Sequence, residues 1–126
     1  ILIIDYGYWN KNMKNTLKSI FKHKFNKVLN NFGQSDITYN LNFKFLEKIV
    51  KKFNLKVSGI TNQKNFLTNL GILKRAEIIS KNLPFSKKAD IYFRIRRLID
   101  QNSMGELFKV MLATKKNINF KTGFIN

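Results

Sequence analysis

A carboxylate, a phenol and a glycine stand together at Asp5-Tyr6-Gly7, directly after the apolar run Ile1-Leu2-Ile3-Ile4. An apolar run without periodicity is typical of a buried strand in a parallel sheet. Ligands of open α/β sheets bind just beyond the carboxyl ends of such strands. At that place Asp5 and Tyr6 could orient a nucleophile or accept a proton, and Gly7 could let the backbone turn sharply near a ligand. The alternative is that Asp5 caps the next segment and that Gly7 only makes a turn.

Two further polar positions precede the middle of the chain. His23, the only histidine, shares a predicted strand face with Phe21 and Phe25, as a hydrogen-bonded core residue or as a substrate-facing base. Asp36 and Thr38 lie in a predicted loop before a helix. They would either form a local side-chain turn or, in the functional interpretation, let Asp36 recognise a cationic group of a substrate.

The second half of the chain adds two candidates. Gln63 follows a buried strand at the start of a predicted helix, where it either caps the helix or contacts a substrate. Glu106, in Met104-Gly105-Glu106, precedes the last predicted strand and either pairs with a lysine or lines the site. Arg94, Arg96 and Arg97 form a basic helix face that is typical of solvated surface.

Several kinds of chemistry are excluded or disfavoured by composition. The 126 residues contain no cysteine, which excludes disulfides, thiolate catalysis and cysteine zinc sites, and a single histidine argues against a histidine metal site. No Ser-His-Asp order, phosphate-binding loop or dinucleotide fingerprint is present. No run approaches the roughly 18 apolar residues of a membrane span, and no signal peptide is visible. A hydrophobic content of 44% can supply the core of one domain.

The net charge of +17 admits two interpretations. It could serve nucleic acid or an acidic membrane. The lysines, however, are distributed along the chain without a block of five or six like charges. This pattern favours a lysine- and asparagine-rich composition spread over a solvated surface, so nucleic acid is a disfavoured partner.

The periodicity of the apolar residues predicts an α/β order of elements. In the first third of the chain we expect a strand at 1–4, a strand at 17–25 that also fits a helix, a helical turn at 27–30 and a loop at 31–41. A helix capped by Asn42 and a strand at 55–60 follow. The rest of the chain is expected to form a helix from about Gln63 that Gly71 divides, a helix with Asp90 in its first turn, and a strand at 107–113. The first strand has the composition of a central strand, which needs neighbours on both sides, and the chain supplies only one of them clearly.

Taken together, these residues resemble a known family. The segments that carry the resemblance, in order, are Ile3-Ile4-Asp5-Tyr6-Gly7, Thr16-Leu17 with His23, Asp36-Ile37-Thr38 before Asn42-Phe43, Gln63 with Phe66-Leu67, Leu70-Gly71-Ile72, and Met104-Gly105-Glu106-Leu107-Phe108-Lys109-Val110. The series is similar to the MidA-like family of S-adenosylmethionine-dependent methyltransferases and extends from Ile1 to about Phe124. Its mitochondrial members are assembly factors of respiratory complex I that methylate an arginine of a complex I subunit.

The resemblance implies the C-terminal half of a Rossmann-like methyltransferase fold, a mixed sheet with flanking helices, as a single domain or fragment over residues 1–126. The glycine-rich cofactor loop of the family belongs to an N-terminal half that is absent here, so the cofactor-binding residues for S-adenosylmethionine are unknown in this chain and the chain alone is expected to be inactive. Asp5 and Tyr6 would lie where a substrate nitrogen is aimed, with Asp5 as the first and Asp36 as the second carboxylate. Gly7, His23, Thr38, Gln63 and Glu106 would contribute to substrate binding.

The expected partners are an arginine-containing protein such as a complex I subunit, the missing N-terminal half, and a second copy of the chain through open strand edges. The expected location is the bacterial cytoplasm or the mitochondrial matrix. Two other functions stay open: a basic module that binds nucleic acid, and a non-catalytic remnant that contacts an assembly partner.

Overall fold

The computed structural model describes residues 1–115 and 122–124 and has two sheets flanked by helices. Its elements are β1 (Leu2–Tyr8), β2 (Lys18–Phe21), β3 (Lys24–Asn26), β4 (Asp36–Thr38), β5 (Leu41–Asn42), α1 (Phe43–Lys52), β6 (Lys56–Asn62), α2 (Gln63–Asn69), α3 (Ile72–Ser80), α4 (Phe85–Ile99), α5 (Met104–Leu107) and β7 (Phe108–Thr114). The main sheet has the order β5-β1-β7-β6, and the small sheet has the order β3-β2-β4. The predicted α/β class with a mixed sheet is confirmed.

The main sheet is mixed because β7 runs in the opposite direction to its two neighbours. β7 is antiparallel to both β1 and β6, whereas β5 is parallel to β1. The carboxyl ends of β1 and β6 therefore meet at one edge of the sheet, beside the start of β7. We call this edge the carboxyl edge.

β1 has a full partner on one side only among the described residues. Leu2 to Tyr6 pair with β7, but β5 pairs only with Gly7 and Tyr8 on the other side. Leu2 is 50% exposed and Ile4 is 46% exposed. The expectation that this apolar strand has one clear neighbour within the chain is confirmed.

The core lies along β7, between two helical layers. Val110, Met111 and Ala113 are completely buried. On the sheet face of Met111, Gly7 lies against the ring of Phe43 in α1. Gly59 in β6 lies against Phe124, and Phe124 packs on Phe66 in α2. Because Gly59 pairs with Leu112, it belongs to the opposite face, so α1 and α2 cover the two faces.

The helix after β5 begins where the sequence predicts. The side-chain oxygen of Asn42 accepts hydrogen bonds from the backbone N–H groups of Lys44 (3.0 Å) and Phe45 (3.2 Å). These bonds satisfy donors that the first helical turn leaves without partners. The predicted division at Gly71 is also confirmed, because this glycine adopts a φ of 81° between α2 and α3.

Two predicted elements are wrong. The strand expected over 17–25 is a hairpin, because Lys22 and His23 adopt φ values of 48° and 64° and turn the chain between β2 and β3. Positive φ at both residues is the geometry of a tight hairpin turn. The helix expected to begin just before Asp90 begins five residues earlier, at Phe85, so Asp90 lies in its second turn and pairs with Arg94 at 2.9 Å.

Within the described residues, none of the helices has both the length and the apolar character that crossing a membrane requires.

Candidate functional site

The carboxyl edge brings residues from four elements together. In the register of the sheet, Asp5 of β1 lies opposite Lys109 of β7, and Lys109 lies opposite Asn62 of β6. Residues directly opposite each other in a sheet share a face. Glu106 of α5 joins this row, because its Oε1 accepts a hydrogen bond from Asn62 Nδ2 at 2.5 Å.

Asp5 and Tyr6 point to opposite faces of the sheet, as neighbours in a strand must. Asp5 is exposed, and its Oδ1 accepts a hydrogen bond from the backbone N–H of Tyr6 at 2.7 Å. The ring of Tyr6 lies against Phe108, with 4.1 Å between the centroids. The two side chains therefore lie on opposite faces of the sheet, which changes the expectation that both are aimed at one substrate nitrogen.

Gly7 is required for packing rather than for a turn. β1 continues through it to Tyr8, and a Cβ atom at this position would lie 2.5 Å from the Phe43 ring and from the Leu41 carbonyl oxygen. The predicted sharp turn is thus wrong, and the absence of a side chain lets α1 approach β1 closely.

The first cavity, on the Asp5 side of the carboxyl edge, has a volume of about 310 Å³. Its lining residues are Trp9, Ile60, Thr61, Asn62, Glu106 and Lys109. Glu106 interacts with a lysine, as one of its two interpretations predicts: Lys109 Nζ lies 3.7 Å from Glu106 Oε2. Glu106 also lines the cavity, so its two predicted roles are not alternatives.

The second cavity lies between the Tyr6 face and the small sheet, and it also has a volume of about 310 Å³. Tyr6, Thr38, Lys18 and Leu107 are among its lining residues. Asp36 pairs with Ile20, another lining residue, and lies two residues before Thr38 on the same face of β4. Asp36 and Thr38 thus belong to a strand, and the predicted loop is wrong at these positions.

Neither His23 nor Gln63 lines either of the two cavities. His23 is exposed at the hairpin tip, so the predicted core environment beside Phe21 and Phe25 is wrong. Gln63 is buried, and its Nε2 donates a hydrogen bond to the Leu98 carbonyl oxygen at 2.9 Å, close to the end of α4. A role in substrate binding stays a prediction for both residues.

Of the six residues that line the first cavity, sequence reasoning identified only Glu106 as a site residue, and the five that it missed include Trp9, Asn62 and Lys109. Asn62 carried a signal, because an asparagine between a strand and a helix is a favoured cap, and its Oδ1 accepts from the Asn65 N–H at 2.8 Å. Trp9, the only tryptophan, follows the carboxyl end of β1 directly. Lys109 could be found only from the strand register, which pattern analysis does not supply.

Lys44 lies close to the Trp9 ring and forms an ion pair with Glu47. Lys44 Nζ lies 4.8 Å from the centroid of the Trp9 ring and 2.9 Å from Glu47 Oε2. The hydrogen bond from Lys51 and then that from Lys44 lower the pKa of the Glu47 carboxyl. Glu47 therefore stays ionised and keeps Lys44 in place.

The described residues offer neither a metal site nor a glycine cradle for a nucleotide. Among residues 1–115 and 122–124, no three His, Asp or Glu side chains come together as ligands. Each glycine is isolated in the sequence, so no glycine-rich segment is formed. A Cβ atom at Gly7, Gly59, Gly105 or Gly123 would meet the chain's own atoms within 2.6 Å, whereas Gly33 and Gly71 have positive φ and open surroundings.

Three comparisons relate this chain to known proteins. A model of the family described as "Putative S-adenosyl-L-methionine-dependent methyltransferase" matches residues 1–61. The protein arginine methyltransferase NDUFAF7, mitochondrial, of Danio rerio is 30% identical over 108 residues, which cover 86% of this chain and 25% of the relative. The chain thus spans about a quarter of the length of the curated relative.

Two solved structures from Burkholderia thailandensis share the fold. An uncharacterised protein matches 99% of this chain and 33% of its own chain, with a TM-score of 0.80 and 24% identity. A methyltransferase candidate of the same superfamily, bound to S-adenosyl-homocysteine, matches 99% of this chain and 32% of its own, with a TM-score of 0.72 and 25% identity. Over this part of their length, the chain is therefore similar to the MidA-like family of S-adenosyl-L-methionine-dependent methyltransferases.

Proposed function

We propose that this chain forms the acceptor-binding part of an S-adenosylmethionine-dependent protein arginine methyltransferase. The proposal rests on the names of its relatives and on the 86% of this chain that one of them matches. Because that match spans only 25% of the relative, the activity requires sequence beyond these 126 residues. S-adenosylmethionine supplies the methyl group.

One observation carries the proposal: carboxylates and amides gather where β1 and β6 end. Asp5 and Asn62 lie on either side of Lys109 in one row at the carboxyl edge, and Asn62 donates a hydrogen bond to Glu106, in the position where α/β sheets bind their ligands. A guanidinium keeps its proton up to a pKa above 12, so a carboxylate has to orient it and help to remove that proton. Positioning of this kind can lower a barrier by several kcal/mol.

Asp5 is our first candidate for this carboxylate, because it is exposed and lies on the face of the first cavity. Tyr6 lines the second cavity together with Thr38, and Asp36 shares the β4 face of Thr38, so we assign the second carboxylate to this side of the sheet. In this assignment Glu106 binds substrate in the first cavity and Thr38 binds it in the second. Gly7 acts indirectly, by letting α1 pack beneath the edge.

The described residues form no glycine-rich cradle for the cofactor. Four of the glycines are packed against the chain's own atoms, and the other two lie in turns. We therefore assign S-adenosylmethionine to an N-terminal half outside this sequence and route no step through it here.

The partner and location follow the same relatives. We infer that the acceptor is an arginine-bearing protein, with a complex I subunit as the specific candidate, and that the protein acts in the mitochondrial matrix or the bacterial cytoplasm. A homo-oligomer through the open side of β1 is a further part of this proposal.

A chimera tests the function. This chain replaces the matching segment of Danio rerio NDUFAF7, and isotopic methyl transfer from S-adenosylmethionine to zebrafish mitochondrial proteins is measured as methylarginine. We expect methylarginine with the chimera and about 10-fold less with Asp5→Asn, because the amide cannot accept the proton. Asp90→Asn on α4, far along the chain from the edge, is the matched control and should change the rate less than twofold.

The cofactor affinity separates the outcomes. Asp5→Asn should leave S-adenosylmethionine binding, measured by calorimetry, unchanged. A folded chimera that binds the cofactor like the parent protein but forms no methylarginine contradicts the proposal and favours a non-catalytic role in assembly.

A further inference from the structure

Trp9 gives the first cavity an aromatic wall. It follows β1 directly, is 43% exposed, and lines the cavity together with Glu106 and Asn62. A large aromatic ring left open at a ligand-binding edge is a platform for a flat or cationic group. The close approach of Lys44 Nζ, 4.8 Å from the ring centroid, already places one cation on this ring system.

Glu106 gives the same cavity an oriented carboxylate. Asn62 Nδ2 donates to Oε1 at 2.5 Å, which fixes the plane of the group. The side chain of Glu106 remains 45% exposed, so it is open to a ligand. A carboxylate has about four lone-pair positions, and this one keeps free positions on both oxygens.

The cations around the cavity already have partners. Lys109 Nζ donates to the backbone carbonyl oxygen of Glu106, and Lys44 is held by Glu47 at 2.9 Å. Each lysine also approaches one of the two groups that could hold a ligand: Lys44 Nζ lies 4.8 Å from the Trp9 ring centroid, and Lys109 Nζ lies 3.7 Å from Glu106 Oε2. A cationic ligand therefore joins or displaces these lysines at the ring of Trp9 and the carboxylate of Glu106. This combination suits a planar guanidinium, which stacks on a ring and donates two parallel N–H groups to a carboxylate.

We propose that Trp9, Asn62 and Glu106 form a subsite for the guanidinium of an arginine in the protein substrate. The inference rests on the proposed function and deepens it, because it names the residues that select arginine over lysine. Trp9 and Glu106 touch the guanidinium, and Asn62 is a positioning residue that orients Glu106. An ammonium group lacks the plane and the paired donors, so it binds this subsite more weakly.

The single tryptophan makes the test direct, because fluorescence excited selectively in tryptophan, and not in the four tyrosines, reports on Trp9. N-acetyl-arginine methylamide and N-acetyl-lysine methylamide are titrated separately into this chain. We expect a saturable change with both, and an affinity for the arginine compound about fivefold higher. This comparison uses the wild-type chain and needs no variant to fold.

Glu106→Gln tests the carboxylate. The amide oxygen can still accept from Asn62, but it lacks the charge, so the arginine compound should bind about as weakly as the lysine compound. Glu77→Gln, which removes a carboxylate paired with Lys74 on α3, is the matched control and should change neither affinity by more than about twofold. Circular dichroism checks that both variants fold.

Equal affinities for the two compounds, no saturable change, or an unaltered preference in Glu106→Gln would each overturn the subsite. The chimera distinguishes this failure from that of the function. If the chimera with Glu106→Gln forms methylarginine with an unchanged KM, the subsite proposal is rejected and the proposed function is retained. If this chain binds the arginine compound selectively but the chimera is inactive, the subsite proposal is retained and the proposed function is rejected.

Discussion

β1 and β7 are neighbours with similar apolar composition, but they have different surroundings. β7 pairs on both sides and lies between two helical layers, and Val110 and Met111 are completely buried. β1 pairs fully on one side only, and Leu2 is 50% exposed. Since apolar residues gain free energy only where they leave water, β7 supports this fold and the first half of β1 contributes much less.

The largest effect should come from the buried strand. Met111→Ala removes a side chain with no exposed surface and should lower the free energy of unfolding by about 3 kcal/mol. Ile4→Ala, in the exposed part of β1, is the control and should cost about 1 kcal/mol or less, because nearly half of this side chain is already in water. Urea unfolding measures both, and equal losses would remove the distinction between the strands.

A smaller effect is expected where β1 becomes buried. Gly7→Ala places a Cβ atom 2.5 Å from the Phe43 ring and from the Leu41 carbonyl oxygen, and the required shift should cost about 2 kcal/mol. Gly33→Ala has open surroundings and only an unfavourable φ of 76°, so we expect about 1 kcal/mol there. Thermal unfolding checks the order, and a harmless Gly7→Ala would show that α1 does not need this close approach.

The cap of α1 should contribute less again. Asn42→Ala removes the acceptor for two backbone N–H groups and should cost about 1 kcal/mol. Asn42→Asp keeps an acceptor at the same place and should retain most of the stability. If both variants unfold at the same urea concentration, the cap is not what stabilises this end of the helix.

The smallest effect concerns Glu47, which binds Lys51 at 2.7 Å and Lys44 at 2.9 Å. These contacts lower the pKa of Glu47 below its ordinary value of 4.5, so their stabilisation is complete above that pH and disappears as the pH falls through the lowered pKa. Glu47→Gln should cost about 0.5 kcal/mol at neutral pH. Unfolding curves of the two proteins should converge in acid, and a constant difference would point to packing instead.

Local signals in the sequence were sufficient for much of the main sheet. The apolar run of β1, the cap at Asn42 and the break at Gly71 act over a few residues, and each predicts its element correctly. The burial and the parallel pairing expected of the first strand are wrong, because Leu2 and Ile4 are about half exposed and the full partner of β1 is antiparallel. The hairpin was missed because Lys22 and His23 are not the residues that favour positive φ.

The candidate site was harder to predict, because it depends on register between distant segments. Asp5, Lys109 and Asn62 become neighbours only when β7 lies between β1 and β6. The same pairing separates Asp5 from Tyr6, since it fixes which sheet face each side chain occupies. Trp9 stands beside Tyr8 in the sequence, but its partner Glu106 comes from α5.

The placement of β7 has a consequence for folding. Among the described residues, the strand latest in the sequence, β7, lies inside the sheet between β1 and β6, and the backbone of Ile1 is bonded to Ala113 across 112 positions. During synthesis β1 and β6 therefore emerge long before the strand that joins them, and they must remain soluble until it arrives. Because the chain must close this long loop before the strand pairing contributes any stability, we predict slow folding and a need for chaperones in the cell.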